Sequence, residues 1–169
     1  MRISNILFAA TLAVAASLTP IAAQAADTTY TAHLSASQEV PTNPSLAQGQ
    51  AIFKLSSDGT ELDYRLIVAN LDNPVAAHIH LAPEGVNGPV VPLLYSNAPA
   101  SGRTSGVIAT GTITDANLVG PLAGQSLSVL VDAIEAGDTY VNVHTLDGEA
   151  PVTNEPGDIP GGEIRGQIG

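Results

Sequence analysis

Short runs of alternating polar and apolar residues, each closed by Gly, Pro, Asn or Asp, recur along this chain and point to antiparallel β-structure. In Thr28–Ala36 the apolar positions are Tyr30, Ala32 and Leu34. Gln48–Ser56 carries Ala51, Phe53 and Leu55, and Glu61–Ala69 carries Leu62, Tyr64, Leu66 and Val68. A period of two puts each set on one face of a strand. The last two runs flank Ser57-Asp58-Gly59-Thr60, a strong hairpin signal. Asn73-Pro74 marks a break, Pro83 to Pro89 reads as a loop, Val90–Tyr95 is a short apolar run interrupted by Pro92, and Val107–Thr114 reads as another strand. One segment has a different period. Leu127, Leu130, Val131 and Ile134 fall at helical spacing, with Gly137 as a stop, and predict a single helix between Ser126 and Ala136. Asp115 is expected to cap a turn around Ala116–Leu118. The expected fold is all-β: an antiparallel β-sandwich or Greek-key barrel of about seven or eight strands, with one short helix near 126–136.

The first 25 residues are set apart from that fold. Arg2 supplies a positive start, Ile6 to Ala16 is an apolar stretch too short to span a bilayer, and Ala23-Gln24-Ala25 fits a cleavage site. These features predict a signal peptide removed after Ala25 and an exported product, periplasmic or secreted. Residues 26–169 then form one domain, large enough for a substantial core. Losing Arg2 with the leader takes the net charge from −11 to −12, with Lys54, Arg65, Arg103 and Arg165 the remaining basic residues. Such a surface repels phosphate backbones, so nucleic acid is excluded as a partner, and a cationic or neutral ligand or an extracellular protein fits better. No later apolar stretch is long enough for a transmembrane helix. With no cysteine, the domain is held without disulfides and offers no thiolate ligand or nucleophile.

Polar chemistry concentrates in three alternating phrases: Ala-His-Ile-His at 77–80, Tyr-Val-Asn-Val-His-Thr at 140–145, and Gly-Gly-Glu-Ile-Arg-Gly-Gln-Ile at 161–168. As strands, they place His78 with His80, Asn142 with His144, and Glu163 with Arg165 and Gln167. Two histidines at i and i+2 have Cα atoms about 6.5–7 Å apart, so their rings can converge on one ion with a third from a neighbouring strand. His78, His80 and His144 are therefore candidate ligands for Cu(II) or Zn(II), with Asn142 and Glu163 orienting the rings. The competing reading is a closed polar network in which Glu163 pairs with Arg165 or a histidine and Asn142 bridges strands. His33 lies apart and reads as a surface strand residue, and the four tyrosines read as core or rim aromatics.

Read in order, Leu-Ser-Ala-Ser-Gln-Glu-Val-Pro (34–41), the 77–80 phrase followed by Asn-Gly-Pro-Val-Val (87–91), Gly-Asp-Thr-Tyr-Val-Asn-Val-His-Thr (137–145) and the 161–168 phrase resemble the CHRD domain. This is the module repeated in animal chordin and found singly in bacterial exported proteins. The resemblance runs from about Thr28 to Ile168 and implies an extracellular β-rich domain. Gln38, Glu39, His78, His80, Asn87, Gly88, Asn142, His144, Glu163 and Arg165 match its motifs. The chain departs from the family pattern by the acidic insertion at 146–160, which is expected to be an exposed loop. Together these features point to an exported binding module without catalytic activity. The alternative is a metal-binding protein (Cu or Zn) using the three histidines, redox-active and superoxide-dismutase-like if the ion is copper. The cysteines, further histidines and active-site loop of the superoxide dismutases are not recognisable here.

Overall fold

The computed structural model describes residues 28–169, so the leader and its cleavage point lie outside the described residues. Eight antiparallel strands make one sheet: β1 Thr28–Ser35, β2 Gln48–Leu55, β3 Leu62–Asp72, β4 Pro74–Leu81, β5 Val90–Ser96, β6 Arg103–Ile113, β7 Thr139–Thr145 and β8 Ile164–Gln167. Their order across the sheet is β5-β4-β7-β8-β1-β2-β3-β6. β3 and β4 lie far apart in that order, yet Asn73 alone joins them. Only a sheet curled until its ends approach can satisfy both constraints. The Tyr64 hydroxyl spans the seam, donating to the Leu94 carbonyl of β5 at 2.7 Å. The architecture is therefore a nearly closed barrel, one of the two forms the alternation allows.

Asn73 makes the corner with a left-handed φ of 50°. Its side chain accepts from the Gly102 amide at 2.8 Å and donates to the Gly157 carbonyl at 3.2 Å. The predicted hairpin forms, with Asp58 Oδ1 accepting from Ser56 Oγ and from the amide and hydroxyl of Thr60. Two strands extend beyond the alternating runs that announced them. β3 continues to Asp72 through a shift in register between Val68 and Leu71, and β6 begins at Arg103. Pro92 sits on the edge strand β5, where a missing N–H removes no interior ladder bond.

The inside of the barrel is apolar, filled by Leu34, Phe53, Leu62, Leu66, Ile79, Val141, Val143 and Ile164. Helix α1, Leu127–Glu135, packs Leu127, Leu130, Val131 and Ile134 against this core, the four residues its period marked. Tyr30 on β1 anchors the helix by donating to Glu135 Oε1 at 2.7 Å.

Asp115 acts over a longer range than the sequence suggested. The short 3-10 turn Asp115–Asn117 is capped by Thr114, whose amide and hydroxyl both reach Asn117 Oδ1. Asp115 instead accepts from the Leu127 amide at 2.6 Å, at the start of α1. A carboxylate there satisfies one free N–H and complements the helix dipole. Asp115→Ala is expected to lower stability by about 1 kcal/mol, read from the urea midpoint, and to leave the histidine region unchanged.

Candidate metal centre

β4, β7 and β8 lie side by side, and their register builds the site. His78 is opposite Asn142, which is opposite Arg165; His80 is opposite Tyr140, which is opposite Gln167; His144 pairs with Ala76. Ile79, Val141, Val143 and Ile164 alternate with these residues and occupy the core. The polar set therefore lies on the outer face of the barrel wall. It is nevertheless largely covered: His80, Asn142 and Arg165 are buried, and His78 and His144 are half-buried. The segment before β5, the segment after β1 and the end of the 146–160 insertion supply that cover through the contacts described below.

The three imidazoles converge. One ring nitrogen from each of His78, His80 and His144 lies within 4.8 Å of the other two. His78 Nδ1 and His144 Nε2 are 3.1 Å apart. His80 Nδ1 is 2.8 Å from the Gly88 carbonyl, and His144 Nδ1 is 2.9 Å from the Pro160 carbonyl. A carbonyl can only accept, so both Nδ1 atoms carry the proton and both Nε2 atoms present lone pairs. Such carbonyl contacts fix the tautomer that a metal-ligating histidine needs. His80 Nε2 is buried and meets no hydrogen-bond partner, and Asn142 Oδ1 nearby is likewise unpartnered. Asn142 bears on the ionisation of His80 without forming a well-aligned hydrogen bond to Nε2.

The environment keeps these rings neutral. Burial, then the neighbouring His144 and His80, pushes His78 down to about 4. Burial also lowers His80 and His144, each against the opposing pull of its carbonyl. Neutral imidazole is the ligating form. Tyr140 supports the group from the side, stacking on His80 with ring centres 4.8 Å apart and planes 9° from parallel. The Arg165 guanidinium lies 3.3 Å from the centre of the same tyrosine ring. Arg165 also donates to Asn87 Oδ1 and to the carbonyls of Pro83 and Val86, which ties down the segment carrying Gly88. A Cβ at Gly88 would collide with the Leu81 carbonyl, so glycine is what lets this backbone approach His80.

Two expectations are corrected. Glu163 pairs with neither Arg165 nor a histidine, and it does not orient a ring. It accepts from Ser45 Oγ at 2.5 Å on one oxygen, and from Thr145 Oγ1 at 2.5 Å and the Gly157 amide at 2.8 Å on the other. Glu163 lies just before β8, which begins at Ile164, so it stands outside the alternating strand. Backbone carbonyls orient His80 and His144, partners that the sequence did not suggest. The insertion is also not wholly exposed: residues 148–156 are, but Gly157, Asp158 and Ile159 are buried, and Pro160 reaches His144. His33 is exposed as expected. Tyr140 is a buried aromatic that also stacks on both His80 and Arg165, a role its place in an alternating run did not reveal.

Glu39 follows β1 and is 5% exposed, with Oε1 meeting no donor. Burial raises its carboxyl from 4.5 to about 7, and Arg165 offsets this only in part. The folded value lies above the unfolded one, so the associated stability is full below pH 4.5 and is lost as pH rises through about 7. Glu39→Gln removes the ionising group. The variant is expected to match the parent near pH 4.5 and to exceed it at pH 8 by about 2–3 kcal/mol, measured by urea unfolding at both pH values.

The site and barrel together define a β-barrel domain with a covered histidine cluster on its outer wall. The CHRD domain profile matches residues 30–168, and the chain belongs to that family. Comparisons with curated proteins and with solved structures returned no match.

Proposed function

We propose that this CHRD domain is an exported metal-binding module that holds Cu(II) or Zn(II) on His78, His80 and His144. The observation that carries the reading is the Nε2 lone pair of His80, buried, unpartnered and held in the ligating tautomer by Gly88, while His144, held by Pro160, turns its Nε2 to accept from His78 Nδ1, whose proton a metal would displace. A self-sufficient polar network would give His80 Nε2 a donor. Metal–nitrogen bonds of about 2.0–2.1 Å put tetrahedral ligands about 3.3 Å apart, close to the His78–His144 separation. The remaining separations, no more than 4.8 Å, then contract by up to about 1.5 Å as the rings close on an ion. Three nitrogens leave a coordination position for water or an exogenous ligand. Export is supported by the leader pattern ending at Ala25.

The test is metal analysis of protein purified through the export route, followed by thermal melts with added Cu(II) and Zn(II). About one equivalent of metal is expected, with stabilisation of about 4 kcal/mol at a free metal concentration a thousand times the dissociation constant. Metal-free protein whose melting temperature ignores both ions would overturn the reading.

A further inference from the structure

A second site lies beside the histidine cluster, across Asn142. A cleft of about 550 Å³ is bounded by the segment from Glu39 to Pro44, by Asn87, and by the returning chain at Asn154 and Ile159 to Gly162. That volume suits a small ligand. Its wall includes the carboxyl of Glu39, a buried ionisable group with an oxygen that no donor among the described residues satisfies. Gly162 packs so tightly here that a Cβ would stand 2.7 Å from Glu39 Oε1 and 2.8 Å from Asn142 Nδ2.

Three lining side chains, Glu39, Asn43 and Asn87, offer acceptor positions to the cleft. Asn43 Nδ2 donates to the Gly162 and Glu163 carbonyls, and Asn87 Nδ2 donates to the Val40 carbonyl. Each side-chain oxygen has one partner, the Ser45 amide for Asn43 and Arg165 for Asn87, which leaves one lone pair on each. Arg165 itself is committed to Asn87, Pro83, Val86 and the Tyr140 ring. A carboxyl and two amide oxygens with spare lone pairs match a group that donates several hydrogen bonds and accepts none. An ammonium group does this with three N–H donors and adds the charge opposite to that of an ionised Glu39. Val40, Pro41 and Pro44 add an apolar side to the cleft, and the acidic surface raises the local concentration of cations.

We propose that this cleft binds a primary alkylammonium group, with Glu39 as its counter-ion and Val40, Pro41 and Pro44 against the alkyl chain. The site stands independently of the metal reading, since none of the three histidines lines the cleft.

The test is calorimetric titration of the full domain with n-butylammonium chloride in mildly alkaline buffer, with n-butanol as the uncharged probe. Saturable binding at one site is expected for the ammonium, with binding at least about tenfold weaker for butanol and for Glu39→Gln, a change that preserves shape. Thr42→Lys, at an exposed lining position, supplies an internal ammonium and should block the titrant while Glu39 remains. Circular dichroism establishes that both variants fold. Binding that Glu39→Gln leaves unchanged, equal binding of butanol, or no saturable binding would each overturn the proposal. Metal uptake by Glu39→Gln should equal that of the parent, which separates this outcome from a failure of the metal site.

Discussion

Replacing His80 by alanine is expected to weaken Cu(II) or Zn(II) binding roughly a thousandfold. Structural zinc sites with four protein ligands are worth about 10–16 kcal/mol, so one nitrogen among a few ligands carries on the order of 3–4 kcal/mol. His80 is the most telling of the three positions. Its Nδ1 is held by Gly88, its ring lies on Tyr140, and its Nε2 has no partner among the described residues. The metal-free protein should lose only about 1–2 kcal/mol, from one hydrogen bond and one ring contact. That asymmetry separates a ligand from an architectural residue. Competition titration against a chelator of known affinity measures the first effect, and urea unfolding of the metal-free protein measures the second. A variant that is much less stable yet binds metal as before would assign His80 to architecture.

Glu163→Ala should produce the reverse pattern, a loss of about 3–5 kcal/mol in the metal-free protein. The carboxylate is 1% exposed and satisfies three donors from three places: Ser45, Thr145 at the end of β7, and the Gly157 amide in the insertion. Removing it strands all three in a buried setting, and each orphaned donor adds its own desolvation penalty. Thr145 also accepts from the Ile159 amide at 3.0 Å, so the disturbance reaches the chain leading to Pro160. The Pro160 carbonyl fixes the tautomer of His144. Metal affinity should therefore fall as well, by about 10- to 100-fold, the range for outer groups that orient ligands. Denaturant titration with and without metal reads both consequences. A stability change under 1 kcal/mol would mean that the carboxylate does not organise this end of the barrel.

The contrast between these residues shows what alternation can convey. Strand periodicity put His78 with His80 and Asn142 with His144, and the register sets these two pairs side by side with Arg165. The helical period of Leu127, Leu130, Val131 and Ile134 likewise marked the buried side of α1. Both are local properties of the backbone. Glu163 lies one residue outside β8, where alternation no longer determines direction. The carbonyls of Gly88 and Pro160 carry no side-chain signal at all, and their placement depends on how two loops fold back over the sheet. Barrel closure was legible only as one of two options. It follows from the one-residue corner at Asn73 taken with a strand order that no single segment encodes. The same limit hid Asp115, whose partner Leu127 lies well along the chain at the start of α1.

X-ray absorption at the metal edge of the loaded protein tests the central claim most directly. The reading predicts a nitrogen shell at about 2.0–2.1 Å with multiple-scattering features of three imidazoles, reduced to two in His144→Ala. A shell dominated by carboxylate oxygen, or an imidazole count unchanged by removal of His144, would contradict it.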